Sequence, residues 1–282
     1  MVRSPFLLIG FAALLMGGDY FQTIRAWQAH REAGLRAPDS WLTLVGLFWL
    51  EPGDSTIGSA PDNKFVLPKG SAPDHVGKLH LEGNVVTFIS LDGKRRTLSY
   101  DEKHPDIVKA GSISFFPIKR GDRFAIRAKD SQSPTLKSFT GTEFFPINPA
   151  FHFHAKLIPD AKEIPVHNAV GQIEMQKSPG IVEFRYRGQT YRLRPIFEDD
   201  TLFFLFRDAT NRVNTYQGGR MLNTPLPVNG EVDLDFNRAY NPPCTFTPYA
   251  TCPLPPKENT LPFPVTAGEK RYGSGHVEYS TN

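Results

Sequence analysis

Residues 85–100 read VVTFISLDGKRRTLSY. Two runs rich in β-branched and aromatic residues flank Asp92-Gly93, a dipeptide that favours the positive backbone angles of a tight turn, so the stretch predicts an antiparallel hairpin. The same texture extends upstream through WLTLVGLFWL (41–50), KFVLP (64–68) and KLHLE (78–82), broken by Pro52-Gly53-Asp54 and Gly83-Asn84. Short strands with turn signals at this spacing predict a β-sandwich over residues 38–146. Strand text continues from Ile113 to Pro146, with Arg120-Gly121-Asp122 read as a turn before a strand rather than as an adhesion motif. The proline-rich FFPINP (144–149) marks the connection to a second domain.

That second domain is predicted over residues 150–273 as antiparallel β-structure or a partly closed barrel. In FHFHAKLIP the alternation is strict, so His152 and His154 share one face and Phe151 and Phe153 the other. Two histidines so spaced can chelate a metal, but no carboxylate stands at matching spacing, and no metal is assigned. IVEFRYRG, QTYRLRPIF and TLFFLFRD then read as a three-stranded meander.

Composition agrees with this class. Among 282 residues there are 25 prolines, 23 glycines and 22 phenylalanines against four methionines, which describes many strands and tight turns. Hydrophobic residues at 40% suffice for packed cores without a metal or cofactor. The net charge of +3 is small and dispersed, so nucleic acid is excluded as a partner.

At the N-terminus, Arg3 precedes the apolar run Pro5 to Met16, too short to span a bilayer. Residues 1–18 therefore read as a secretory signal, which predicts export to the periplasm or cell envelope and no stable membrane span. Residues 19–37 follow as one amphipathic helix, with Tyr20, Phe21, Ile24 and Trp27 on one side, Asp19 as N-cap and Gly34 as stop; residues 274–282 read as a tail. The sequence is silent on oligomeric state.

The densest stretch is Asp235 to Pro256, DFNRAYNPPCTFTPYATCPLPP, which holds both cysteines and six prolines. The alternation in Asp233 to Phe236 makes it the end of a strand whose Asp235 points away from the core. The prolines exclude helix and central strand and stiffen a loop expected to run over the surface. Cys244 and Cys252 read first as a structural disulfide, with a reduced buried pair or a reactive thiol as alternatives. A bridge is expected to place their Cα atoms roughly 4.4–6.8 Å apart. Upstream, Gly218-Gly219-Arg220 lets a backbone approach a ligand closely and offers a guanidinium fork; the plain reading pairs Arg220 with Asp208 or Asp235. No serine-hydrolase elbow, zinc-protease helix or nucleotide-binding glycine motif is present.

Two resemblances follow from these residues. The order of Gly58, Asn63, Leu67, Ser71 and His75 within residues 57–86 is similar to the core of a forkhead-associated sandwich, with His75 expected to serve turn backbone. Ser59 stands where such domains carry a phosphate-reading arginine, so the resemblance implies the scaffold and not the reader. More closely, WLTLVGLFWLEPG, GSAPDHVG, TYQGGR and the run from Asp235 onward resemble the uncharacterised bacterial and archaeal family DUF1684, from Trp41 to Tyr272. The family implies signature positions Asp235, Asn237, Arg238, Tyr240, Asn241, Cys244, Tyr249 and Cys252, and no reaction.

The functional expectation is a ligand-binding module of the envelope for an anionic small molecule or glycan. Its pocket is predicted between the Tyr216–Arg220 turn and the 235–252 loop, with Arg220 and Arg238 on the anion and Tyr240 and Tyr249 stacked beside it, and with Asp235, Asn237 and Asn241 lining it. One alternative is an enzyme using Asp235 as general base or Cys244 as nucleophile, helped by His152 or His154. The other is protein interaction through the forkhead-like sandwich.

Overall fold

The structure, a computed structural model, describes residues 9–273, with side chains from residue 19. The signal-like segment lies outside the described residues over 1–8, as does the tail over 274–282. The N-terminal helix, α1 (Ile9–Leu35), is longer than expected, and Asp19 lies inside it rather than capping it. Ala12 to Met16 are good helix formers, and the helix they support continues through Gly17 and Gly18 instead of starting at a cap. From Asp19 onward, Ile24 and Leu35 are buried, and Trp27 meets Phe144 edge to face at 6.3 Å.

Nine strands follow: β1 (Leu44–Trp49), β2 (Gly53–Gly58), β3 (Phe65–Val66), β4 (Gly77–Glu82), β5 (Val85–Ser90), β6 (Arg95–Leu98), β7 (Val108–Ala110), β8 (Ile113–Arg120) and β9 (Arg123–Asp130). They form two sheets, ordered β1-β9-β8-β7 and β3-β2-β4-β5-β6, antiparallel except where β3 joins β2. The Asp-Gly hairpin is β5–β6, with Gly93 at φ +82°. Ile57, Leu79 and Val86 of one sheet meet Phe115, Ile126 and Ala128 of the other in one buried cluster, as a sandwich requires. His75 does not serve turn backbone: it is exposed, 3.8 Å from Asp62. Asn63 does so instead, donating from Nδ2 to the carbonyls of Ala60 and Asp74.

After a short helix, α2 (Pro134–Lys137), come β10 (His152–His167), β11 (Ile173–Tyr186), β12 (Gln189–Leu193), β13 (Ile196–Glu198), β14 (Thr201–Phe206), β15 (Arg220–Pro225) and β16 (Glu231–Asp235). They form sheets β12-β11-β10-β16 and β13-β14-β15. The expected meander is therefore divided: the chain changes sheets between β12 and β13, at Arg194-Pro195. Both sheets stay open, and no barrel closes among the described residues. The run TLFFLF is buried on both faces. Leu202, Phe204 and Phe206 enter a core with Val182, Leu234 and Phe236, while Phe203 and Leu205 face a smaller cluster with Ile164 and Met221.

The run after β16 does not lie over the surface. Phe236, Asn237, Ala239, Asn241, Cys244, Thr245, Phe246, Thr247, Ala250, Thr251 and Cys252 are all buried. The loop wedges between the two halves. Thr247 Oγ1 donates to the Leu44 carbonyl on β1, and Leu254 N donates to His167 on β10. Ala169 N donates to Cys252 O. Cys244 and Cys252 are joined in a disulfide, Cα atoms 6.2 Å apart.

Replacing both cysteines by serine is expected to cost about 2.6 kcal/mol, the chain-entropy value for a nine-residue loop. Urea denaturation should show a lower midpoint and a still cooperative transition. An unchanged midpoint would show that burial alone holds the loop.

Candidate functional site

The residues singled out from sequence divide into a structural set and a set that faces open space. Asp235, predicted to point away from the core, does leave the strand on that side, but α1 covers it and it is only 2% exposed. Its oxygens accept from Tyr20 Oη at 3.1 Å, from Asn237 N at 3.0 Å and from Asn237 Nδ2 at 2.9 Å. Burial and the Asp235 charge push the Tyr20 phenol well above its ordinary pKa, so it stays a donor. Asn237 is saturated too: Oδ1 accepts from Asn148 N and Nδ2 donates to Asn148 O, which clasps the inter-half connection. His152 sits opposite Asp235 in register, yet its Nε2 contacts Asp233 and its ring stacks on Tyr20 at 5.1 Å. The groups an Asp235 base would need are thus near, but the carboxylate is sealed. The bridged sulfurs leave no thiol for the cysteine version.

Arg220 is fully buried, which removes it from any surface pocket. Its Nη2 donates to Asp208 Oδ2 at 2.8 Å and to the Val265 carbonyl at 2.8 Å, and its Nη1 donates to the Ala267 carbonyl at 2.5 Å. Asp208 in turn accepts from Thr210 N and Val265 N. The close approach that Gly219 permits is made by the protein itself. At φ +101°, a Cβ there would meet Phe206 O and Pro255 Cγ, each at 2.6 Å. Tyr216 is buried beside Cys244, Ala250 and Cys252. Arg238 lies half-buried 3.9 Å from Asp235, and Tyr249 is exposed.

Of the residues expected to bind a ligand, Tyr240 and Asn241 line a cavity of about 320 Å³ where the halves, the loop and α1 meet. Trp41, Arg120 and Arg127 line it from the first half, Phe203 and Met221 from the second, and Arg31 from α1. Arg31 donates from Nε to the buried Glu269 at 2.8 Å and lies 4.8 Å over the Tyr240 ring. Arg120 donates to Glu102 at 2.7 Å and to Thr251 Oγ1 at 3.1 Å. Arg127 differs from both. It is 7% exposed and has no acidic partner among the described residues. Its one hydrogen bond is a long one, 3.5 Å from Nη2 to Thr251 Oγ1, and its Nε has none. Burial first, then the neighbouring Arg120 charge, lowers its pKa to about 10, which leaves it charged near neutrality. Tyr240 donates from Oη to Asn223 Oδ1 at 2.6 Å, and burial raises its pKa, so it remains a neutral phenol.

Sequence reasoning missed Arg31, Arg120 and Arg127. In RFAIRAKD, Phe124, Ile126 and Ala128 enter the sandwich core, and Arg127 occupies the alternate face, which reads as solvated in isolation. The loop, through Thr251, and Trp41, whose ring lies 5.4 Å from the guanidinium, cover this face and bury it. Among the described residues, no three His, Cys, Asp or Glu side chains come together to hold a metal ion. Nor is any described helix long and apolar enough to cross a membrane.

Similarity to a known family lies in the loop and the second half. Residues 137–270 match the family of proteins of unknown function DUF1684. The DUF1684 match contains TYQGGR and the whole disulfide loop, but it begins well after Trp41, so the first sandwich lies outside it. The solution structure of an uncharacterised protein from Haloarcula marismortui is similar, at 29% identity over 48% of this chain and 78% of that one, with a TM-score of 0.40. No curated protein matches.

The buried Arg220–Asp208 pair generates a test of the structural assignment. Asp208→Ala strands a guanidinium without its counter-charge and is expected to cost about 3–5 kcal/mol. Chemical denaturation measures the loss; a change below about 1 kcal/mol would mean the carbonyls alone satisfy Arg220.

Proposed function

We propose that the protein is a binding module for a small anion, held in the cavity between the two halves with Arg127 as its principal contact. The supporting observation is Arg127 itself: a guanidinium nine-tenths removed from water, facing a cavity, with no carboxylate beside it. Burying a charge without a partner costs several kcal/mol in general, and such a cost is retained where an incoming counter-ion offsets it. A carboxylate or phosphate fits the planar fork of arginine. Arg120 adds a second cation at the edge, while Trp41 and Tyr240 offer aromatic surface. The size of the cavity suits a small metabolite. This reading keeps the anionic ligand expected from sequence and moves it from Arg220 and Arg238 to Arg127 and Arg120.

The signal-like residues 1–18 and the bridged cysteines support a location outside the cytoplasm, where disulfides persist. The prolines and the bridge favour a loop that is stiff before a ligand arrives, which lowers the entropy lost on binding.

Thermal-shift and calorimetric titration with phosphate, succinate and citrate tests the proposal. At least one is expected to bind, and Arg127→Met to weaken that binding at least a hundredfold. Because the substitution removes an uncompensated buried charge, the ligand-free variant should melt at the same temperature as the parent or higher. Absence of any anion response, or full affinity in Arg127→Met, would sink the proposal.

A further inference from the structure

The cavity that holds Arg127 does not end there. A second cavity of about 460 Å³ adjoins it, sharing Arg120, Glu198, Phe203, Thr251 and Pro253 as lining, and the two are taken together as one trough. The charge along this trough changes sign. In the first cavity the cations are Arg31, Arg120 and Arg127, of which Glu269 and Glu102 compensate the first two. In the second the acids are Glu102, Glu174, Glu198 and Asp199; Arg120 pairs with Glu102, and Lys103 pairs with Asp199 at 2.5 Å. What remains is Arg127 in the first cavity, Glu174 in the second, and Glu198 on the stretch they share.

Neither remaining acid has a cation beside it among the described residues. Glu174 is half-buried on β11, opposite Val166 of β10, and lines the second cavity. Glu198 ends β13, where Oε2 accepts from Asn223 Nδ2 at 2.8 Å and is thereby held facing the trough. A simple anion would satisfy Arg127 but gain nothing from these acids, and would be repelled by them if it extended that far.

We infer that the ligand is dipolar, a short peptide or related amino acid whose carboxylate meets Arg127 and whose ammonium group, further along the chain, meets Glu174 and Glu198. The inference rests on the anion-binding reading of the same cavity and names the class of molecule that fills the whole trough. Complementary charge at both ends fixes the direction of the ligand and discriminates against acids that lack the cation.

The test compares three probes by calorimetry: trialanine, N-acetyl-trialanine, which keeps the carboxylate but loses the ammonium, and trialanine amide, which does the reverse. Trialanine is expected to bind at least tenfold more tightly than either. In the double variant Glu174→Gln, Glu198→Gln, whose fold is checked by circular dichroism, the advantage over the N-acetyl peptide should vanish while the affinity for the N-acetyl peptide itself holds. If both carboxylate peptides bind equally in the parent and both lose binding in Arg127→Met, the dipolar inference fails and the anion site stands. The inference fails in the same way if phosphate, succinate or citrate binds and no peptide does. If no probe binds at all, both fail.

Discussion

A loop buried between two β-structures must satisfy every backbone polar group it takes out of water, and this constraint organises the molecule. The run from Asp235 to Pro256 meets it in three ways. Six prolines remove six amide donors that would otherwise need partners. Short turns close on themselves, as at Phe236–Arg238 and Pro243–Thr245, and the disulfide holds Cys244 against Cys252. Other backbone groups bond outward: Leu254 N donates to His167 O on β10, Tyr240 N to Met221 O on β15 and Asn241 N to the Glu269 carboxylate, while Ala239 O accepts from Glu269 N. The loop is thereby a common wall for both halves, and the cavity is the space it leaves between them.

Buried arginines in this fold serve opposite purposes, and their partners tell them apart. Arg220 and Arg194 are each matched by an aspartate, Asp208 and Asp160, together with backbone carbonyls, and act as polar pins within the second half. Arg127 has a long hydrogen bond to Thr251 and the Trp41 ring 5.4 Å away, and no aspartate or glutamate ion pair among the described residues. Charge burial of this kind adds nothing to stability, which is the ground for the proposed anion site. Helix α1 takes part in the same wall, since Tyr20 seals Asp235 and Arg31 bridges Glu269 to the Asn241 carbonyl.

The β character, the Asp-Gly hairpin, the opposed faces of His152 and Phe153 and the disulfide were legible in the sequence, because each depends on residues close together in the chain. Turn chemistry and period-two alternation act over a few residues, and a nine-residue loop between two cysteines needs little else to close. The long hairpin of β10 and β11 was legible only in part. Pro159, Pro165 and Pro179 lie within it, and the register shifts between Pro159 and Lys162 where the pairing makes room for them.

Sequence by itself determined the β character, the tight turns, the likeness of residues 137–270 to DUF1684 and the disulfide, since propensity, proline geometry and cysteine spacing are local properties. The tertiary structure alone decided which charged groups are open to a ligand. Arg220 and Arg127 look alike in sequence, one after a glycine pair and the other in an alternating strand. Their difference is whether a carboxylate more than ten residues away folds back to meet them: Asp208 reaches Arg220, while Arg127 is covered by a loop that brings a threonine and no acid. Burial and charge pairing are set by surfaces that meet only on folding, and no local pattern encodes them.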